Sequence, residues 1–509
     1  MFTGFILTDT KRLASLLSDT QYEIKRVLSS YMNSCISYIS WQLIDVADSM
    51  YSYIDKSNWY EYASILNDYY YGLGKQGVSN IPLFIIGGDN VIPMPRVSSP
   101  LYGMGKEYLD VDMVYCFEPK EDLQFEDYIS SLPRFAVGRL PLADNWDLET
   151  LKAYLDDCVG YVENGIPSRG AAMITTESWL RASAEMMRGI PLVSLSEDYV
   201  YLNNGMLVSP EFSTEDTYMY NNCVHELKKV DFLVCNLHGS DEYGCSYFVG
   251  EDEDREIYPV TLQPAMFQET TPYIINTVAC FGARYINYEM EDSMLLSAMS
   301  YGTMLYCGSC EIALGGYDME GNSELLMKLY NIYLHQGIPA GMALLKAKQD
   351  YYRTCHDEDG DEFAMFTILE FNLFGCPILY MQPKLNANYH PQLLGQNVVT
   401  KAKASYNPVK IVPVKDSVFE TNDVLSYVRS KVDANLSYIK AKVEKDVYER
   451  LGLSGSNISQ VSYIMINNRQ VGWQFMYMSI SQESYRNFRM YYLVNTDEQG
   501  EITKIIRTK

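Results

Sequence analysis

A chain of 509 residues exceeds what one ordinary core accommodates, so about two to four domains are expected. Its 47% apolar content supports globular packing, while a formal net charge of −25 disfavours nucleic acid, which needs a basic surface. No apolar run approaches the roughly 20 residues of a bilayer span, so no membrane partner is expected.

The N-terminal stretch 1–10 has no basic region and no cleavage site after a long apolar segment, which points to a cytoplasmic protein. Eleven cysteines scattered through apolar runs suit reduced thiols better than a disulfide framework.

Residues 4–8 form a short strand pattern, and 10–72 read as helical, with apolar positions at spacings of three and four. Pro82–Asp89 is a buried strand running into a glycine turn. Residues 90–135 are loop-rich, Phe135–Pro141 is another strand and turn, and a helix near 146–163 leads to a boundary at Pro167 and Gly170. From 170 to 382 strands (171–176, 231–237, 273–279, 303–307, 377–381) alternate with helices (217–229, 290–301, 322–335, 338–353), which argues for a doubly wound α/β sheet. Residues 385–415 read as a linker. One long helical pattern at 417–450 and alternating stretches at 459–466, 470–480, 486–495 and 501–507 follow, with hairpin turns at 467–468 and 497–500. The expected division is 1–165 (an N-terminal helical and α/β subdomain), 166–384 (catalytic), 385–415 (linker) and 416–509 (a separate α+β module of one helix and an antiparallel meander).

Two strand runs carry the chemistry. Phe232–Leu237 ends in His238-Gly239, and Tyr273–Val278 ends in Ala279-Cys280. In an open parallel sheet functional groups gather at the carboxyl ends of strands, and a His and a Cys at one edge are the minimum parts for thiol acyl transfer. Cys280 is the candidate nucleophile and His238 the candidate general acid and base. The N–H groups of Gly239 and Cys280 are candidates for an oxyanion hole. Either residue alone reads as an inert core residue; the pairing of two such motifs favours a site.

The pattern of apolar strand, His-Gly, connector, apolar strand, Ala-Cys resembles the clan CD cysteine peptidases of the caspase-hemoglobinase fold. Further motifs resemble the gingipain-like family within it: Leu83–Asp89 with Ile92-Pro93, Asp112-Met-Val-Tyr115, Leu132–Pro141 with its Gly138-Arg139, and Asn372–Pro377, where Cys376 stands in place of the family's Asp. These run in order over about 80–381. The resemblance implies a caspase-like, mostly parallel sheet in two subdomains, with protein or peptide substrates. It also implies an acid that orients the catalytic His, and Glu177 stands at that place; a helix-terminal acid is the alternative reading. Gingipains cleave after Arg or Lys using a buried acid. A straight count lands on Arg188, which would favour an acidic P1 residue, with Glu185 one turn away. A second family solution points to Glu311 and Asp318, either of which otherwise reads as a solvated carboxylate.

Remaining signals weigh less. Cys307-Gly-Ser-Cys310 lacks the second half of a zinc site. The acidic run His356–Glu362 could hold a structural Ca²⁺, a group gingipains bind, but no cofactor is required; a solvated loop is the default there and for Glu251–Glu256. Asp292 reads as a helix cap. The expectation is a cysteine endopeptidase for limited proteolysis, leaning to basic P1 residues, with a regulatory partner conceivable at the C-terminal module. The alternative is a catalytically idle scaffold or interaction protein acting through its N- or C-terminal modules.

Overall fold

The computed structural model describes residues 2–73, 80–101, 108–119, 133–192, 202–203, 206–210, 212–214, 221, 224–241, 244–252, 258–316, 321–355, 361–385, 409–413, 438–453, 458–466, 469–483 and 486–508. Its centre is one eleven-stranded sheet. In spatial order the strands are Ile39–Asp45, Phe2–Thr8, Ile81–Ile86, Phe135–Leu140, Phe371–Gly375, Leu305–Ser309, Ile274–Thr277, Phe232–Asn236, Ala171–Thr176, Met206–Ser209 and Leu202–Asn203. Pairing is parallel except between Leu305–Ser309 and Phe371–Gly375 and at the Leu202–Asn203 edge. This is the expected mostly parallel α/β sheet. Its inner strands are predominantly apolar because they are covered on both faces: every residue of Phe232–Asn236, Ile274–Thr277 and Leu305–Ser309 is buried, the polar Asn236, Asn276, Thr277 and Ser309 included.

Helix ends follow local chemistry. Asp9, Thr20 and Asp147 accept from the free amides that open helices Thr10–Leu16, Gln21–Ser34 and Leu148–Asn164. Ser293 caps Met294–Ser300, the role the sequence suggested for Asp292.

Several boundaries differ from expectation. The helical reading of 10–72 is interrupted by Ile39–Asp45, a strand paired in parallel with Phe2–Thr8. Its mixed burial pattern is that of a sheet edge and gives no clean periodicity. The strand expected at 377–381 lies instead at Phe371–Gly375. Gly375 at φ 119° and Pro377, which has no N–H to give a ladder, stop it there. Residues 361–370 are helical where no helix was expected. The described part of 217–229 is helical at 224–227.

The ordered motifs of the first half converge on one buried guanidinium. Arg139 makes a bidentate ion pair with Asp112 at 2.7 and 2.6 Å and donates to the carbonyls of Gly87 and Ile92 at 3.0 and 2.7 Å. The Tyr115 hydroxyl donates to Pro93 O at 2.7 Å, and Asn372 Oδ1 accepts from Asp112 N–H at 2.9 Å. Gly138 has no room for a side chain, because a Cβ would sit 2.4 Å from Gly375 O. Five separated sequence motifs are therefore one structural clasp. With every acceptor supplied, a fully buried Arg is tolerable.

The C-terminal residues form a second sheet, ordered Leu314–Gly316, Ile502–Thr508, Arg486–Asp497, Arg469–Glu483, Ile458–Ile466, Val409–Pro413. Two expectations change. Val409–Pro413, read as linker, is a strand of this sheet. The module is not separate from the catalytic region, because Leu314–Gly316 belongs to its sheet. Residues 438–451 are helical, and 414–437, the first part of the expected long helix, lie outside the described residues. Ile439, Val443, Val447, Trp473, Phe475, Tyr492 and Val494 share a core with Tyr247, Val249, Tyr258 and Val260, so the module packs on the hairpin that follows His238.

Candidate active site

Strands Phe232–Asn236 and Ile274–Thr277 are direct parallel neighbours, in register from Phe232↔Ile274 to Cys235↔Thr277. Their carboxyl ends lie at one edge, with Ala171–Thr176 on the far side of the first and Leu305–Ser309 on the far side of the second. His238, Cys280, Glu177 and Glu311 therefore all leave the sheet at the same edge.

Past its strand the chain at His238–Ser240 turns into a small antiparallel sheet with Tyr247–Val249 and Val260–Leu262. Gly239 lies against the backbone of Cys280: a Cβ there would be 1.7 Å from Cys280 O and 2.8 Å from Cys280 N. Only glycine permits this approach. The loop carrying Cys280 is pinned to the next strand end, with Phe281 N–H donating to Glu311 O at 2.7 Å and Ala283 N–H to Ser309 O at 2.8 Å. Phe281, directly after the cysteine, has φ 56°, a left-handed conformation that bulky residues avoid unless the surroundings impose it. The Ala313 N–H donates to Cys280 Sγ at 3.1 Å, and the Cys280 thiol donates to Ala313 O at 3.6 Å.

The carboxylate hydrogen-bonded to His238 is that of Glu251, with Nε2 and Oε2 3.2 Å apart. Sequence reasoning placed Glu251 in a solvated acidic run. It is instead fully buried, and residues 253–256 of that run lie outside the described residues. The hairpin register explains the placement. His238 pairs with Val249, so Glu251, two residues on, returns beside the ring. The available signal was the apolar stretch Tyr247-Phe-Val-Gly250, which marks Glu251 as the end of a strand rather than the start of a charged loop. Ser178 Oγ donates to Glu251 Oε2 at 2.6 Å, and the Tyr258 hydroxyl to Oε1 at 3.4 Å. Arg507, from the C-terminal strand, spans the carboxylate with Nη2 2.7 Å from Oε2 and Nη1 3.2 Å from Oε1. Burial alone would raise the Glu251 carboxyl, but Arg507 and His238 outweigh it and hold the group well below the carboxylate range. The centroids of the Trp179 ring and the imidazole are 4.5 Å apart, and the Arg507 guanidinium carbon lies 4.3 Å from the Trp179 ring centroid.

Of the other expected residues, Glu177 opens a short turn after Ala171–Thr176 and donates its backbone N–H to Glu251 O at 3.2 Å. Glu311 is buried beside the Cys280 loop, its N–H donating to Ser309 Oγ at 3.1 Å. Glu185 and Arg188 are ion-paired with each other, and Glu185 also faces Lys328 at 3.6 Å, so those charges answer one another. Asp318 and residues 356–360 lie outside the described residues. Cys307 and Cys310 are buried thiols whose pKa values burial pushes up. Among the described residues no three His, Cys, Asp or Glu side chains group as metal ligands, and no helix is long and apolar enough to cross a membrane.

No protein-family model and no curated protein matches the chain. Among solved structures it is similar to a protease, at 9% identity and a TM-score of 0.48, covering 100% of this chain and 96% of that one. It is also similar to the complex of Porphyromonas gingivalis RgpB pro- and mature domains, at 10% identity and a TM-score of 0.48 over 99% of both chains. A third is the Arg-specific cysteine proteinase gingipain R, at 10% identity and a TM-score of 0.47, covering 99% of this chain and 97% of that one. Likeness at this level carries no weight by itself; the chemistry rests on the strand-end geometry.

Proposed function

We propose that the protein is a cysteine endopeptidase. The observation that supports this most is the apposition of Gly239 and Cys280 at the ends of two neighbouring parallel strands, with His238 adjoining. Cys280 Sγ attacks the scissile carbonyl, and the oxyanion accepts from the Gly239 and Cys280 N–H groups. His238 Nε2 is committed to Glu251, so proton transfer to the leaving amine runs through Nδ1. Glu251 takes the orienting role that the family resemblance implied for Glu177 and stabilises the imidazolium. Water, deprotonated by His238, then releases the acyl group.

The lean toward basic P1 residues is supported by the buried carboxylate of Glu311 at this edge and by the commitment of Arg188 to its ion pair with Glu185. Labelling by acyloxymethyl ketone peptide probes tests the assignment. Modification of Cys280 that disappears in Cys280→Ala supports it, and failure of every P1 residue to label both the unaltered chain and Arg507→Ala argues for the alternative. That alternative, an idle scaffold, is favoured by one observation: the site is closed, with Cys280 3% and His238 0% exposed.

A further inference from the structure

The last described strand of the chain lies next to the segment that touches the Cys280 sulfur. The strand Leu314–Gly316 begins one residue after Ala313, whose N–H meets the Cys280 sulfur. Its edge is paired with the last strand of the chain in antiparallel register, Leu314↔Thr508, Gly315↔Arg507 and Gly316↔Ile506. An open strand edge beside a nucleophile is where an extended peptide docks by strand addition, with main-chain hydrogen bonds holding it and side chains choosing it. The side chain at the middle of the paired segment Ile506–Thr508 is read by built partners: Arg507 reaches Glu251 at 2.7 and 3.2 Å, Ser178 Oγ at 3.1 Å and the Trp179 ring at 4.3 Å. Arg507 is 1% exposed and Glu251 0%. Ile506 is also buried, in the main core rather than in the module's own.

We infer that Leu314–Gly316, together with Ser178, Trp179 and Glu251, is a docking site for an extended, arginine-bearing peptide, and that the chain's own Ile506–Thr508 occupies it and shuts the thiol away. The geometry stands independently; only the consequence, an autoinhibited enzyme, rests on the peptidase reading. Ile502–Thr508 is the edge strand of the module's own sheet, so release needs the short pairing with Leu314–Gly316, the Arg507 seat, the packing on the His238 hairpin and the places of Met476, Leu493 and Ile506 in the main core to part. The module then lifts as a body. The same oxygen of Glu251 bonds both Arg507 and His238, so the occupant and the catalytic ring share one carboxylate.

The test uses the full chain. Alkylation of Cys280 by iodoacetamide is timed in the unaltered protein, Arg507→Ala and Ile506→Asp, alongside amide hydrogen exchange. Both substitutions are expected to speed alkylation about tenfold or more, a modest shift for removing a buried anchor. Protection should fall at 314–316 and persist in Phe232–Asn236 and Ile274–Thr277. An unchanged alkylation rate in both variants overturns the inference. Should a variant fail to fold, the unaltered protein still decides: Cys280 must react no faster than the amides of 314–316 and 505–508 open, and faster reaction sinks the proposal. Variants that alkylate quickly yet cleave no peptide leave the docking site standing and remove the peptidase reading.

Discussion

Glu251 and Arg507, 256 positions apart, share a 2.7 Å hydrogen bond between Oε2 and Nη2 beside the imidazole of His238. One buried carboxylate thus joins the catalytic candidate to the last strand of the chain.

Replacing Glu251 by Gln removes the counter-charge of a buried guanidinium, at a cost of about 3–5 kcal/mol near neutral pH. The sign of the pH dependence follows from the depressed carboxyl. Its folded pKa lies below the ordinary 4.5, so the stabilisation is complete above that value and is withdrawn as pH falls below it. Urea titrations should show the gap between Glu251→Gln and the unaltered protein narrowing below pH 4.5. A gap that stays constant into acid contradicts the assignment.

His238→Ala is expected to lower kcat by about 10²–10⁴ through loss of proton transfer. Cys280→Ala should abolish turnover. Steady-state cleavage of a peptide library measures both, and an active Cys280→Ala protein would disprove the mechanism.

Gly239→Ala brings a Cβ to 1.7 Å from Cys280 O, so either the cysteine loop or the His238 hairpin must move. A loss of about 3 kcal/mol is expected, with loss of Cys280 labelling even under conditions where the variant is folded. Normal stability and labelling together would show that the two backbones are not in contact.

Asp112→Ala leaves Arg139 charged and buried, with an expected cost of about 3–5 kcal/mol. Arg139→Lys should fail to restore stability, because an ammonium cannot make the fork to Asp112 and also reach the carbonyls of Gly87 and Ile92. Thermal and urea unfolding check both. A fully stable Arg139→Lys protein would mean that charge alone, without the fork, holds the clasp.

Profiling P1 preference on an opened site should favour Arg or Lys over Asp or Glu by about tenfold or more. Preference for acidic residues would return attention to Arg188, despite its ion pair with Glu185.

Runs such as Phe232–Asn236 and Ile274–Thr277 were legible in sequence because a strand buried on both faces is predominantly apolar, and His238-Gly239 and Ala279-Cys280 stood out at the ends of those runs. Edge strands carried no such signal, so Ile39–Asp45 was absorbed into helices and Val409–Pro413 into a linker. The partner of His238 was out of reach for a different reason. Glu251 is charged and sits in an acidic run, and nothing local says that it is buried; that depends on a hairpin register and on an arginine near the far end of the chain. Local pattern determined the strands and the two residues that end them. Long-range pairing alone decided which carboxylate meets the imidazole and what closes the site, because burial of a charge is settled by where its counter-charge arrives from.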